Sequence, residues 1–348
     1  MAILKIISIF ATSNELLIYI QCMIQNVSST RVIGINISLS ATTYAIVDVR
    51  GNIIAQEEFP TLEHPDINEY VAFLSKKLVE IMEANGGFNS VRSVGIGVLS
   101  GNFVTGCIEH SPALPWKGDV PLAKLLSSRL GKAVAVGNNA HARALGEHAF
   151  GNARGMNNFI VITLGDGLGS CVFSNGKPHL GRDGFAGEIG HVCINPNGRQ
   201  CGCGARGCLE TYCARDGIIM TARKLMEQSD KPSLMRDCKN LTPEAITAFC
   251  EKGDEMAIEV YQRTGKMLGM GLSAYASVMN PEAIIFTGGV SKAAHWLLDP
   301  AQQTFEENVF HNVRGRVKFL PSTLTDKERN VLGASALAWE VEELSLFT

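Results

Sequence analysis

The stretch GEIGHVCINPNGRQCGCGARGCLE, residues 187–210, places one histidine and four cysteines in a short, glycine-rich segment, and three of these cysteines crowd into its last ten residues. His191, Cys201, Cys203 and Cys208 offer one imidazole and three thiolates, a soft donor set that suits Zn²⁺ in a closed tetrahedral site. Four protein ligands fill the coordination shell, so the pattern predicts a structural zinc ion rather than a catalytic ion with an open position. The alternative is that four unrelated residues share a glycine-rich loop.

The composition of the whole chain is that of a globular protein. The chain has 348 residues, 46% of them hydrophobic, and a formal net charge of −3. This length predicts two domains, and the slight negative charge argues against a nucleic-acid partner, whose binding surface would be basic. Clustered cysteines in a long chain favour a metal over a disulfide framework. Cys193 and Cys213, which flank the cluster, are predicted to be core thiols.

The first 30 residues contain two short apolar runs that Glu15 separates. Neither run approaches the ~18–20 residues that span a bilayer, so we predict no membrane partner and a cytoplasmic protein. We interpret residues 1–30 as an N-terminal extension or an over-long start, with Met23 as another initiation point. The alternative is a signal peptide in which Lys5 forms the charged region.

Alternating strand and helix patterns follow the extension. Strands are predicted at 31–36, 43–49, 53–59, 93–98, 133–137, 158–164, 168–174, 282–287 and 317–320, and the main helices at 66–84, 139–149, 254–279, 291–310 and 329–344. Two halves that each begin with a hairpin predict an α/β architecture. We expect a smaller α/β domain at 31–140, completed by a C-terminal helix at about 329–345, and a larger one at 141–328 that carries the zinc loop.

The run E-x-G-H followed by C-x-C-G-x-x-G-C-x-E resembles the ROK family (repressors, open reading frames and sugar kinases), and most closely its glucokinase-like members. The likeness extends from about Val32 to Ala338 and includes segments 97–106, 114–118, 145–147, 280–282, 288–291 and 332–334 in family order. It implies an actin-like/hexokinase-like ATPase fold of the ribonuclease H-like class, with two α/β domains around a cleft. It also implies a hexose partner, ATP and Mg²⁺ as cofactors, and a homodimer or homotetramer.

The same resemblance implies a sugar site whose residues all match the family pattern. Asn102 and Asn138 would bind ring hydroxyls, and Glu188 would accept hydrogen bonds from hydroxyls near the anomeric carbon. His191 would hold zinc through one ring nitrogen and face the sugar through the other, and Glu210 would close the same edge. Carboxylates and amides suit an uncharged ligand that is rich in hydroxyls. The alternative is that Glu188 and Glu210 are solvated loop acids.

The phosphate side departs from the family pattern. Where ROK kinases carry D-x-G-G-T-[KN] after the first strand, residues 36–41 read Asn-Ile-Ser-Leu-Ser-Ala. The carboxylate and both glycines are missing, and Leu39 puts an apolar side chain where bare backbone N–H groups are expected. These changes predict that ATP and Mg²⁺ bind weakly.

Two other glycine turns could still face a nucleotide. Gly165 and Gly167 keep the family's second phosphate turn, but Asp166 replaces a hydroxyl with a negative charge. Asp166 either repels the phosphates or holds Mg²⁺ in place of the missing carboxylate. Gly288 and Gly289 form a strand-to-helix turn that either faces the nucleotide or serves helix–strand packing.

The position of the family's catalytic base is also altered. Where the family reads N-D-A-N, this chain has an amide, Asn139, which cannot take a proton from an attacking sugar hydroxyl. General-base catalysis contributes about 10²- to 10⁴-fold to rate. His141, two residues on, is predicted to point away from Asn139 and to be a partly exposed helix residue.

Three hypotheses follow from this pattern. The first is a glucose-like hexose kinase whose chemistry is impaired. The second is a catalytically silent sugar-binding protein that regulates a partner. The third, a DNA-binding ROK repressor, requires a winged helix of about 60 residues, and the sequence shows no basic recognition helix before the fold.

Overall fold

The computed structural model describes residues 30–111 and 114–345, so residues 1–29 of the predicted extension lie outside the described part. The chain forms two compact units. The first comprises the residues up to Gly101, Gly106–Gly137 and the residues from Ala334 on; the second comprises Asn102–Thr105 and Asn138–Gly333.

A five-stranded sheet forms the centre of the first unit. Its order is β3-β2-β1-β4-β7, with β1 antiparallel to β2, β2 antiparallel to β3, and β1 parallel to β4. The elements are β1 (Arg31–Ile37), β2 (Thr42–Asp48), β3 (Ile53–Phe59), α1 (Ile67–Ala84), β4 (Val91–Val98), β5 (Ile108–Glu109), β6 (Asp119–Val120), α2 (Leu122–Leu130) and β7 (Ala133–Asn138). Most residues of strands β1, β2 and β4 are buried in the core of this unit, because these strands are predominantly apolar.

Helix α1 shows how the sequence determines this packing. The Asp66 carboxylate accepts hydrogen bonds from the backbone N–H groups of Asn68 and Glu69, which caps the first turn. Its buried residues recur at helical spacing and join the core of the sheet: Tyr70, Val71, Leu74, Leu78, Ile81 and Met82.

The second unit repeats the arrangement of strands. Its sheet order is β10-β9-β8-β11-β12, with β8 antiparallel to β9 and β11 parallel to both β8 and β12. The elements are α3 (Asn139–Phe150), β8 (Phe159–Leu164), β9 (Leu168–Ser174), β10 (Lys177–Pro178), α4 (Glu210–Cys213), α5 (Arg215–Gln228), α6 (Pro243–Glu251), α7 (Glu255–Met279), β11 (Ala283–Thr287), α8 (His295–Asn308), β12 (Lys318–Pro321) and α9 (Asp326–Ser345). Helix α9 passes into the first unit at Ala334.

The parallel pair β8–β11 positions two glycine turns in the second unit. Thr163 lies opposite Thr287, so the turn after β8 and the turn after β11 leave the same edge of the sheet. The hydroxyls of both threonines are buried without a hydrogen-bond partner among the described residues.

Helices α7 and α8 pack closely at two glycines of α7. A Cβ atom at Gly265 would lie 2.7 Å from the carbonyl oxygen of Leu297, and one at Gly269 would lie 2.3 Å from that of Ala301. Only glycine lets the two backbones approach this closely.

The helix predicted at 291–310 is shorter in the structure. Residues Val290–Ala293 form a 3-10 turn instead, and α8 begins only at His295. Ala294 separates the two segments with φ 49° and ψ −123°, a conformation that disfavours residues with a Cβ atom and interrupts the helical hydrogen bonds. In the described part of the chain, none of the helices combines the length and apolar character needed to cross a membrane.

Candidate functional site

The four predicted metal ligands come together in the second unit. The ligand atoms of His191, Cys201, Cys203 and Cys208 all lie within 4.8 Å of one another. Cys201 Sγ is 3.7 Å from His191 Nδ1, and Cys203 Sγ is 3.7 Å from Cys208 Sγ. Four ligands around zinc at ~2.3 Å stand about 3.8 Å apart, so this donor set fits a tetrahedral Zn²⁺ ion.

Two glycines allow the loop to fold back on the cluster. Gly207 adopts φ +73°, and a Cβ atom there would lie 1.7 Å from the carbonyl oxygen of Asn195. Gly204 adopts φ +94° in the tight turn that follows Cys201. These conformations and the close approach disfavour any other residue, which explains the glycine-rich composition between the cysteines.

The loop between Glu188 and Glu210, which carries the four predicted ligands, is called the metal loop below. Arg199 connects this loop to helices α4 and α5. Its guanidinium donates to the carbonyl oxygens of Thr211 and Gly217 and to the hydroxyl of Thr221, and it stacks on the ring of Tyr212. This role was not predicted from the sequence. Its only sequence signal is a basic residue two positions before the first cysteine of the cluster.

The two predicted sugar-binding carboxylates lie at the ends of the metal loop. Glu188 precedes the 3-10 turn that carries His191, and Glu210 is the first residue of α4. Glu210 Oε2 accepts a hydrogen bond from the backbone N–H of Leu168 at 2.8 Å. Burial raises the pKa of Glu188, His191 opposes this shift, and the charge of Glu210 adds to it.

Asn102 and Asn138 have structural partners of their own. Asn102 is 4% exposed; its Nδ2 donates to the carbonyl oxygen of Asp183, and its Oδ1 accepts from the N–H of Val104. Asn138 Oδ1 caps α3 by accepting from the N–H of Ala140 at 2.9 Å. Each amide keeps spare hydrogen-bonding capacity, so sugar binding by these residues stays a prediction.

The first turn of α3 contains both Asn139 and a histidine whose predicted exposure was wrong. His141 is only 6% exposed, not partly exposed as predicted, and its ring meets that of Phe103 edge-on at 5.4 Å. Its Nε2 has no hydrogen-bond partner among the described residues, and burial lowers its pKa to about 4. The helical period predicts its direction relative to Asn139 but carries no information about what packs around it.

The turn between β8 and β9 has a compact hydrogen-bonded form. Gly165 donates through its N–H to the carbonyl oxygen of Gly167, and the N–H of Arg215 donates to the carbonyl oxygen of Gly165. The guanidinium of Arg215 also lies 3.2 Å from the carboxylate of Asp166. Asp166 thus has an ionic partner that neither of its two predicted roles included.

The glycines after β11 differ in what surrounds them. Gly288 adopts φ +96°, and a Cβ atom there would lie 2.2 Å from the carbonyl oxygen of Leu164. A Cβ atom at Gly289 would meet only the side chain of Glu244, at 3.5 Å. Backbone packing against β8 therefore accounts for Gly288, whereas it does not account for Gly289.

In the first unit, residues 36 and 37 end β1, and residues 38–41 form the turn of the β-hairpin that leads into β2. The N–H of Ser38 donates to the carbonyl oxygen of Ala41, and the N–H of Ala41 donates to the hydroxyl of Ser38. Leu39 is 48% exposed at the tip. Two N–H groups of this turn are therefore occupied by the turn itself.

A cavity of about 590 Å³ in the second unit was not foreseen from the sequence. Glu188 lines this cavity together with mainly apolar residues that include Phe185, Tyr275 and Val278. Of the five predicted sugar-binding residues, only Glu188 lines this cavity. The prediction for Cys193 was wrong, because it is exposed, whereas Cys213 is buried as predicted.

Two α/β units, one of them with a histidine–cysteine cluster, define a protein of the actin-like hexokinase fold, as predicted. The pattern of the ROK family matches residues 32–341, and the chain belongs to this family. It is 30% identical over 320 residues to a glucokinase of Halalkalibacterium halodurans, covering 89% of this chain and 95% of that protein.

Solved structures agree with this assignment. A ROK family glucokinase from Streptomyces griseus, in complex with glucose and AMPPNP, superposes with a TM-score of 0.70 at 28% identity, covering 89% of this chain and 99% of that one. A ROK family transcriptional regulator, a homologue of the Escherichia coli MLC protein, superposes with a TM-score of 0.79 at 25% identity, covering 88% and 77%. Both kinases and regulators are therefore similar to this chain.

Proposed function

We propose that this protein binds a hexose of glucose-like shape and transfers phosphate to it poorly. The observation that carries the proposal is the amide of Asn139 on the first turn of α3, where the family resemblance implies a catalytic carboxylate. His141 does not replace that carboxylate, because its ring is buried and its pKa falls to about 4. A rate loss of about 10²- to 10⁴-fold is expected from the missing base.

Sugar recognition would depend on Glu188, His191 and Glu210, with Asn102 and Asn138 completing the set. Support comes from the chain geometry, since the metal loop holds Glu188 and Glu210 at its two ends. Partial burial of Glu188 would strengthen its hydrogen bonds to hydroxyls.

Zinc would serve this site by ordering the loop. His191, Cys201, Cys203 and Cys208 would hold the ion, and four protein ligands would leave no open position for catalysis. A bound zinc ion supplies cross-links that keep the loop and its neighbouring carboxylates in place.

The altered turn at residues 36–41 supports the impairment independently. Its two occupied N–H groups and its non-glycine residues do not form a cradle for phosphate. Weak ATP-Mg binding is the expected consequence, although positioning alone can still support some phosphoryl transfer.

Calorimetry and a coupled ADP-release assay test this proposal on the intact protein. We expect a hexose from a panel of glucose, mannose and N-acetylhexosamines to bind and to raise the melting temperature, with little further effect of ATP-Mg. Ordinary kinase turnover would contradict the impairment, and a flat response to every sugar would contradict sugar binding.

The second candidate is a catalytically silent sugar-binding regulator. Similarity to a ROK transcriptional regulator, which has the higher TM-score of the two structures compared above, favours it. Turnover that stays at background while sugar binds would select this candidate over an impaired kinase. A homodimer or homotetramer, a cytoplasmic location and the lack of a nucleic-acid partner stay predictions.

A further inference from the structure

Cys193 lies outside the four-residue cluster in sequence pattern but beside it in the fold. An isolated antiparallel bridge pairs Cys193 with Cys208, which is one of the four clustered residues. The bridge has two backbone hydrogen bonds between the residues that flank the cysteines: Ile194 N–H to the oxygen of Gly207 at 2.9 Å, and Leu209 N–H to the oxygen of Val192 at 3.0 Å. The fold therefore sets a fifth cysteine directly opposite a candidate ligand.

The pattern of these hydrogen bonds fixes the type of pair that the two cysteines form. Both bonds lie outside the pair, so Cys193 and Cys208 form a non-hydrogen-bonded pair of an antiparallel ladder. In such a pair the Cα atoms stand about 4.5 Å apart and both side chains leave the same face. Disulfides need Cα atoms about 4.4–6.8 Å apart. The backbone is thus already placed for a disulfide, and only side-chain rotation is required to form it.

The two cysteines differ in their access to solvent. Cys193 is exposed, whereas Cys208 is fully buried. Exposed Cys203 belongs to the candidate ligand set, so a bound metal would occupy its sulfur. Cys193 lies outside that set and keeps an exposed sulfur whether or not metal is bound. Oxidation of cysteine follows exposure, and an exposed cysteine next to a second one is the usual arrangement of a reversible oxidation site.

We propose that Cys193 is a site of oxidation by peroxides, and that Cys208 captures the oxidised sulfur as a disulfide. Hydrogen peroxide transfers one oxygen to the Cys193 sulfur; its O–O bond breaks, an S–OH group forms and water leaves. The Cys208 thiolate then attacks that sulfur, so the S–S bond forms, the S–O bond breaks and hydroxide leaves. Two electrons pass in total from the two sulfurs to one peroxide.

The disulfide removes one ligand from the cluster. His191, Cys201 and Cys203 alone then remain to hold a zinc ion, and a structural site normally uses four ligands. Oxidation therefore releases the metal and loosens the metal loop. Release of zinc rests on the metal site of the proposed function, whereas formation of the disulfide does not.

Treatment of the zinc-loaded full chain with hydrogen peroxide tests the proposal, with metal release followed by a chromogenic chelator. Elemental analysis beforehand verifies that zinc is bound. We expect Cys193→Ser to release zinc about fivefold more slowly than the unmodified protein, because oxidation at the exposed thiol is removed. Cys238→Ser, at a partly exposed cysteine outside the cluster, is the matched control and should behave like the unmodified protein. Melting curves verify that both variants are folded.

Tryptic mapping without reduction identifies the disulfide, after free thiols have been alkylated. Cleavage after arginine places Cys193 in peptide 183–199, the pair Cys201 and Cys203 in peptide 200–206, and Cys208 in peptide 207–215. We expect peptide 183–199 to be linked to peptide 207–215, and fragmentation to place the bond at Cys208 rather than at Cys213. Dithiothreitol with added zinc should reverse both the link and the loss of metal.

Three results would overturn the proposal. The first is a link of peptide 200–206 to 207–215 in place of the expected one, since the ligand cysteines would then oxidise among themselves. The second is the absence of any link to Cys193 after peroxide treatment. The third is equal zinc release from Cys193→Ser and the unmodified protein. A chain that binds no zinc before treatment contradicts the proposed metal site and the release step, and the peptide map then decides the disulfide by itself.

Discussion

At the residue scale, the proposed function depends on single side chains at the start of α3. Asn138 caps the helix, Asn139 offers an amide where the family resemblance implies a base, and the ring of His141 packs against that of Phe103. An amide can position a hydroxyl but has no accessible basic pKa, so substrate binding and proton removal are separable here.

Asn139→Asp tests whether the missing base alone limits catalysis. We expect less than a tenfold gain in turnover in a coupled assay, because residues 36–41 still lack a phosphate cradle. Asn139→Ala is the matched control and should match the unmodified protein. A gain of about 10²- to 10⁴-fold would instead show that the altered turn is harmless.

His141 makes stability depend on pH. Its pKa of about 4 in the folded state lies below its ordinary value of 6.5, so the unfolded chain binds the proton more readily between these values. Stability is therefore present above pH 6.5 and is lost as the pH falls toward 4. Between pH 7 and pH 5 the free energy of unfolding should fall by about 2 kcal/mol on account of this residue.

Urea unfolding at both pH values measures this contribution. His141→Asn, which does not titrate, should lose about 2 kcal/mol less than the unmodified protein over the same interval. His311→Asn, at an exposed position, controls for the substitution itself. Equal pH dependence in His141→Asn and the unmodified protein would mean that the imidazole is not buried as the structure places it.

At the scale of elements, several contacts depend on glycines, because a residue without a side chain lets two backbone segments approach closely. The contact of α7 with α8 depends on Gly265 and Gly269, and the turn after β11 depends on Gly288. The metal loop is held differently, through the hydrogen bonds that Arg199 donates to the carbonyl oxygens of Thr211 and Gly217.

Gly269→Ala measures the close packing of α7 against α8. The added methyl group would lie 2.3 Å from the carbonyl oxygen of Ala301, so the helices must separate. We expect a loss of about 1–3 kcal/mol in the free energy of unfolding, even though alanine favours helix formation. Lys266→Ala, at an exposed position of the same helix, should change it by less than about 0.5 kcal/mol. Similar effects of the two substitutions would argue against the contact.

Secondary structure was largely predictable because it depends on local periodicity. The predicted strands at 158–164 and 168–174 correspond to β8 and β9, and the predicted helix at 254–279 corresponds to α7. The helix predicted at 291–310 was too long at its start, because the strained backbone of Ala294 interrupts it. Alanine is a strong helix former, so its presence at this position carries no signal of a positive φ.

At the scale of the whole molecule, the histidine–cysteine cluster closes one long loop of the second unit. His191 lies ten residues before Cys201, and the loop between Glu188 and Glu210 closes on the cluster. In the proposed function, free energy released on metal binding would be available to stabilise the sugar site.

Metal removal tests this coupling. We expect about one zinc per chain by elemental analysis, and a chelator should lower both the melting temperature and the affinity for the hexose. Cys203→Ser should lose the metal, whereas Cys193→Ser, at the exposed cysteine outside the cluster, should retain it. Full sugar affinity in the metal-free protein would refute the role of the metal in ordering the loop.

The sequence alone determined most of the elements, the family and the four residues of the candidate metal cluster, because these depend on residue type and on spacing along the chain. Only the tertiary structure decided the burial of His141, the pairing of Asp166 with Arg215 and the use of Asn102 to hold Asp183. These contacts join residues between 38 and 81 positions apart. Their existence depends on how the chain folds back on itself, and local periodicity carries no information about that.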